Sequence, residues 1–359
     1  MKTIKFISND INHKQFAADL RKNVYNYFKE QGISTKGRLP LTIQTISMLS
    51  MYIVPFVLLM TLSLPGWLAA VGAVIMGVGM AGIGMCVMHD AVHGSFSSRK
   101  WVNKLFGSTM YLLGSNVFNW KVQHNIIHHA YTNISGLDED IDSKGPIRLS
   151  DHAPLKKIHR FQHIHAFFFY GLLTLSKLVR DFTQIIEYKR KGITQHYKFN
   201  HVQEYIKMVV AKVFYLFVFI GLPLLFTSFT WWQVLLGFSI MHWTAGIILS
   251  LIFQMAHVVE GVEQPMPSED GIIECEWAVH EMRTTADFAR NNRLLNWYVG
   301  GLNFQIEHHL FPNICHIHYR KIAPIVEKTA REYGIVYNLK PSFRNALRSH
   351  VRRLKELGR

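Results

Sequence analysis

Cysteine is nearly absent from this chain: Cys86, Cys275 and Cys315 are scattered and form no CxxC pair. That excludes a disulfide framework and a thiolate cluster, and reads Cys315, near the last histidine pair, as an inert buried thiol. Cations are also absent over long stretches. No Lys or Arg occurs between Leu39 and Ser98, or between Val213 and Met282, although the chain holds 39 of them. Each desert is long enough for two membrane spans of about 20 residues. Internal repeats, low-complexity tracts and Pro/Gly-rich linkers are missing too, so 359 residues read as one integrated unit. A cleavable signal pattern is not expected, since the apolar run begins about forty residues in without a small-residue cleavage site. The net charge of +15 accompanies no recognised nucleic-acid-binding motif, and no nucleic acid is expected as a partner.

What is present outlines an all-α integral membrane protein. Spans are predicted at about 41–62, 67–88, 208–226 and 231–256, as two hairpins closed by the cation-free turns 63–66 and 227–230. The basic segments before, between and after the hairpins then lie in the cytoplasm and form a helical cap. Trp101 to Phe118 and Ala166 to Val179 are only moderately apolar. Either one crossing alone would split the basic segments across the bilayer, so both read as interfacial or half-inserted helices. Residues 1–38 carry an N-terminal amphipathic helix, with Asn12 capping His13 to Glu30 and Phe16, Leu20, Tyr25 and Phe28 on its apolar face. Residues 39–335 form the main domain and 336–359 a basic C-terminal helix. The amphipathic stretch Arg344–Arg359 reads equally as a contact for anionic lipid or acidic protein and as a solvated helix.

Histidines cluster where the spans meet that cap. His89 and His93 end span two, His124, His128 and His129 follow in the basic loop, and Gln305, His308 and His309 come after span four. Residues four apart share a helix face, so each HxxxH pair can grip one ion. His257, at the inner end of span four, adds an eighth imidazole. Eight exceed one tetrahedral zinc and suit two metal ions with open positions; iron also binds and reduces oxygen. Asp90, Asp138–Asp140 with Asp142, and Glu307 are near enough in sequence to orient these rings, and the run 138–142 reads equally as a solvated turn. Asp90, Asp138, His280 and Gln305 read as ligands or supporting groups, and His316 and His318 as structural or supporting ones. Trp120 packs under the site or anchors the interface, while His152, His159, His163 and His165 read as solvated or headgroup-facing. His242 is the exception, lying mid-span, where it faces a substrate channel or bonds a neighbouring helix.

The order HxxxH, HxxxHH, QxxHH resembles the membrane fatty-acid desaturase superfamily. So do the contexts Met88-His-Asp-Ala-Val-His-Gly-Ser, Asn125-Ile-Ile-His-His-Ala-Tyr-Thr-Asn with Asp138-Glu-Asp-Ile-Asp, and Gly301-Leu-Asn-Phe-Gln-Ile-Glu-His-His-Leu-Phe-Pro312. Similarity runs from about Lys36 to the C-terminus. Gln305, where other desaturases usually carry His, resembles the front-end subgroup of delta-5, delta-6 and sphingolipid delta-8 enzymes. The resemblance implies a di-iron centre held by the eight His, with O2 as co-substrate and a cis double bond inserted into an acyl chain on coenzyme A or a lipid. Many front-end enzymes carry a fused cytochrome b5 domain with His-Pro-Gly-Gly, a motif missing here. A separate ferredoxin, rubredoxin or cytochrome b5-type donor with its reductase is therefore expected, in a bacterial-type enzyme of the inner membrane. Breaking an unactivated methylene C–H bond also exceeds what acid–base side chains can do. Lipid hydroxylation or ketolation is the alternative within the superfamily; metal transport, from another class, would favour ligands spread through the spans.

Overall fold

The computed structural model describes residues 4–142, 145–195 and 199–359. Four helices are long and apolar enough to cross a membrane: Leu39–Thr61, Gly66–Val92, His201–Phe226 and Trp231–His257. Their ends have local causes. Pro40 opens span one, Pro65 precedes span two, and Thr230 with Gln233 forms a capping box at span four. Span three starts earlier than its apolar run because the Asn200 side chain accepts the Val202 and Gln203 N–H groups, adding a polar first turn. Span two is the central helix, packed against spans one and four. Glycine permits this: a Cβ on Gly77 would sit 2.5 Å from the Met241 carbonyl oxygen, and one on Gly79 2.6 Å from the Tyr52 nitrogen.

Both moderately apolar stretches fold as helical elements packed against the spans and are not themselves candidate spans. The second is the helix pair Gln162–Gly171 and Leu173–Arg190, whose apex hydroxyl, Thr174 Oγ1, donates to the His242 carbonyl (2.8 Å). His242 lies about 22 Å along the helix from the inner end of span four at 1.5 Å per residue. Its ring is fully used, by Thr174 Oγ1 at 3.0 Å and the Tyr215 hydroxyl at 2.8 Å, so it ties helices together. The other element, Lys100–Leu113, reaches the Tyr52 hydroxyl through the Leu112 carbonyl at 2.6 Å. Lys212 joins the two elements: its ammonium donates to Gly114 O (2.8 Å), Lys177 O (2.9 Å) and Asp181 Oδ2 (2.9 Å). All three of its protons are thereby bonded.

The terminal segments wrap the inner end. The N-terminal helix spans Ile11–Glu30, and its cap is Asp10 rather than Asn12. Asp10 Oδ1 accepts the Asn12 N–H at 2.8 Å, the bond a cap makes to the second helical residue. Phe16, Leu20, Val24 and Phe28 face helix Tyr319–Glu332, while Tyr25 sits beside that stripe, edge-on to Phe311. The C-terminal helix Phe343–Leu357 buries Ala346, His350, Leu354 and Leu357, so it is docked along one face rather than solvated all round. His350 Nδ1 bonds Val258 O at 2.7 Å, fixing the helix to the end of span four. Strand structure among the described residues is two short parallel pairs, Lys5–Phe6 with Ile272–Ile273 and Asp287–Phe288 with Leu339–Lys340.

Removing one partner of the buried Lys212–Asp181 pair strands the other charge. Asp181→Ala is expected to cost about 3–5 kcal/mol, whereas Lys212→Met with Asp181→Leu recovers most of it. Thermal unfolding of the purified protein in detergent measures both.

Candidate metal centre

The histidines are positioned by local departures from the α-helix. A π-turn, Ile83–Met88, precedes His89 at the end of span two, and a second, Lys121–Ile127, carries His124. His128 and His129 open a 3-10 turn immediately afterwards. The wider π-turn and tighter 3-10 turn change the azimuth between positions four apart. His124 and His128 stack with 5.3 Å between ring centroids and share a group with Asp140, but their histidine partners differ.

Two sets of ring nitrogens result. His89, His93, His124 and His308 converge in one, and His128, His257 and His309 in the other, with the donor atoms of each set within 4.8 Å of one another. His129 stands between them, forming a third group with His308 and His309. In the first set, His124 Nε2 lies 3.1 Å from His89 Nε2 and 3.2 Å from His129 Nε2. Trp120 packs on the His124 ring at 4.3 Å and meets His89 and His93 edge-on, so it lies under the site.

Outer contacts fix how four of these rings point. Nδ1 of His128 bonds the Asp138 carboxylate at 3.0 and 3.1 Å, and Nδ1 of His309 lies 2.8 Å from Glu281 Oε2. His308 Nδ1 meets the Tyr319 hydroxyl at 3.2 Å, and His257 Nδ1 the Thr284 carbonyl at 3.3 Å. Among the described residues, the Nε2 atoms of all four are buried without a hydrogen-bond partner, as are His93 Nε2, His89 Nδ1 and His129 Nδ1. A buried nitrogen left bare is costly, and a metal ion relieves that cost. The residues thus fit a metal pair with nitrogen-rich coordination.

Electrostatics agree. Burial holds His124, His129, His308 and His309 well below the usual imidazole value, which keeps them neutral and able to ligate. At His128 burial is outweighed by Asp138 and Asp140, and the pKa rises to about 9. Asp138 is held below the ordinary carboxylate range against its own burial, by the His128 charge and by the Asn133 and Asp140 N–H groups. Burial pushes Glu281 up to about 8.

Other sequence expectations resolve differently. Asp90 and Glu307 do not orient a clustered His, because residues adjacent on a helix point about 100° apart. Asp90 instead accepts from Cys315 Sγ (3.0 Å) and His316 Nδ1 (2.8 Å), so that thiol is bonded. Glu307 takes the Tyr337 hydroxyl at 2.8 Å. Within the acidic run, Asp138 and Asp140 face His128, while Glu139 turns to Gln184. His280 Nε2 bonds Thr132 O at 2.9 Å and supports the second-cluster loop from outside the nitrogen sets. Both polar atoms of Gln305 are buried without a partner. His159 is buried, not solvated: its Nδ1 accepts the Lys156 N–H at 3.0 Å.

Glu281, Tyr319, Thr132 and Asn133 complete the setting; the last two fall within the second-cluster motif, whereas Glu281 and Tyr319 have no marker in the sequence. Asn133, at φ 58°, directs its amide to the carbonyls of His257 (2.9 Å), Thr284 (3.1 Å) and Glu263 (3.2 Å). An opening lined by Phe6, Asn125, His129, Tyr131 and Trp277 leads to the centre. A second, apolar cavity lies far from it, between the opposite ends of the hairpins near Ala69, Phe229 and Trp232.

Four apolar spans with an outwardly braced imidazole cluster at one end define a helical membrane protein with a site able to hold metal. The sequence profile of the fatty acid desaturase family matches residues 65–341, and the chain belongs to that family. It is 33% identical to an sn-1 linoleoyl-lipid 6-desaturase of Arthrospira platensis, over 95% of this chain and 92% of that one. To the protein of the same name from Synechocystis it is 34% identical, over 96% of each chain. An acyl-lipid (8-3)-desaturase of Physcomitrium patens is 32% identical over 97% of this chain and 73% of its own length. The chain is thus a membrane fatty acid desaturase, an oxidoreductase of lipid metabolism with a lipid substrate.

Glu281→Gln keeps the size of the side chain and loses the carboxylate behind His309. Metal retained after dialysis against a chelator is expected to fall with an apparent affinity loss of about 10–100-fold, read by plasma emission spectrometry. Glu274→Gln, at an exposed position, is expected to leave it unchanged.

Proposed function

We propose that this chain is a front-end desaturase that inserts a cis double bond at the delta-6 position of an acyl chain carried on a lipid. The single observation behind the metal assignment is the set of braced imidazoles with inward nitrogens left bare. In this reading two iron ions are held by His89, His93, His124 and His308, and by His128, His257 and His309, with His129 between them. The iron pair supplies the reduction of O2 that makes an unactivated C–H bond breakable. Asp138, Glu281, Tyr319 and the Thr284 carbonyl keep the rings in the tautomer that presents Nε2. Gln305, buried and unpartnered, offers its amide to the centre directly or through water. Trp120 and Phe253 give the His124 ring an apolar surround that keeps water away.

Overall, O2, two electrons, two protons and the two hydrogens of the acyl chain leave as two waters. The electrons come from a ferredoxin, rubredoxin or cytochrome b5-type protein with its reductase. The delta-6 position and lipid carrier rest on the names of the cyanobacterial relatives, together with Gln305 in the third cluster. The basic segments support a cytoplasmic centre in a bacterial inner membrane, with 39–335 as the catalytic body between flanking segments 1–38 and 336–359.

Expression in a host that makes linoleate, followed by gas chromatography–mass spectrometry with double-bond mapping, should yield a delta-6 product. A hydroxylated or keto product without a new isolated double bond overturns the reaction assigned. His128→Ala is expected to abolish the product and lower bound iron. A reporter joined near residue 148 should be cytoplasmic; a signal from the opposite side reverses the topology.

A further inference from the structure

We infer that the segment Leu155–Phe161, together with the end of the C-terminal helix, is a binding site for anionic phospholipid headgroups at the start of the helix pair Gln162–Gly171 and Leu173–Arg190. Leu155, Ile158, Phe161, Ile164 and Phe168 are each more than half exposed. From Ile158 onward a spacing of three, three and four puts them on one helical face, with Leu155 in the extended segment just before it. The 3-10 turn over Lys157–Phe161 sharpens this, because side chains three apart eclipse there: Ile158 lines up with Phe161, and Lys157 with Arg160 beside them. An apolar row flanked by a cationic row is the arrangement of an element that rests in a lipid interface, burying one row among acyl chains and extending the other to the headgroups.

A second cationic element meets this one. Gln162 Nε2 bonds the Leu354 carbonyl and Arg148 Nη1 the Leu357 carbonyl, each at 2.7 Å, docking the last turn of the C-terminal helix against the start of the pair. That brings Lys355 and Arg359 close enough to His163 to add to the effect of burial in lowering its pKa. Lys156, Lys157, Arg160, Lys355 and Arg359 are all exposed, and none is paired with a carboxylate among the described residues. Their neighbours differ: Arg353 is paired with Asp151 and Glu356, and Arg352 with Glu260. Five unpaired cations from two elements, beside an apolar row on a membrane protein, are complementary to anionic phosphodiesters in the adjoining leaflet.

The site is independent of the double-bond position, the metal and the carrier, so its test uses binding alone. Full-length protein in nonionic detergent is titrated with dihexanoyl phosphatidylglycerol, dihexanoyl phosphatidylcholine or inorganic phosphate, and the thermal unfolding midpoint is followed. Phosphatidylglycerol is expected to raise the midpoint saturably, with little effect of the other two. The triple variant Lys156→Ala, Lys157→Ala, Arg160→Ala should need at least about tenfold more phosphatidylglycerol for the same shift, as should Lys355→Ala with Arg359→Ala. The charge-keeping set Lys156→Arg, Lys157→Arg, Arg160→Lys should bind like the parent and controls for folding. Equal shifts with phosphatidylcholine, a full shift with phosphate alone, or unchanged affinity in both alanine sets would each overturn the assignment.

Discussion

An imidazole can be buried in a dry helical core only if both of its nitrogens are accounted for, and that constraint organises this protein. In His128, His257, His308 and His309 one nitrogen is committed outward, to a carboxylate, a carbonyl or a phenol. The other is left facing a shared interior. Such an arrangement is unfavourable without a cation and well suited to one. Much of the inner half of the molecule serves it. The helix with Glu281, the turn with Asp138 and the helix with Tyr319 each deliver a group that a His requires.

The same rule acts deeper in the spans. Helix ends carry carbonyls that lipid cannot satisfy. Here they are met by side chains from the spans: Tyr52 takes Leu112 O, and Lys212 takes Gly114 O and Lys177 O. His242, which from its position alone could have faced a substrate channel, belongs to this layer. Polar groups at two depths thus do different work, one set closing the fold and the other shaping the reaction centre.

The spans and histidine clusters were legible because both signals are local: an absence of cations over about forty residues or more, and ligands repeated within one or two turns. His257 was legible from its place at the end of a span that had to return to the clustered face. Glu281 and Tyr319 were not. Glu281 reaches Thr132 across 149 positions, and only the packed fold supplies that adjacency. Asp90 and Glu307 show the converse, since being next to a ligand in sequence turns a side chain away from the ligand's partner on a helix. The π-turn that gives His124 and His128 different histidine partners leaves no trace in composition. Asn12 and Asp10 are both good capping residues, and only the start of the helix chooses between them.

Asn133 carries a consequence for how the protein is made. Its amide ties the second-cluster loop to the carbonyl of His257 and to that of Thr284, which lies 151 residues further on. At ribosomal speeds of about 5–20 residues per second, those partners emerge on the order of ten seconds later. Until then His128 and His129 belong to a loop without its anchor. The nascent chain therefore cannot close that half of its histidine cluster early, and the site takes shape only when most of the protein has been made.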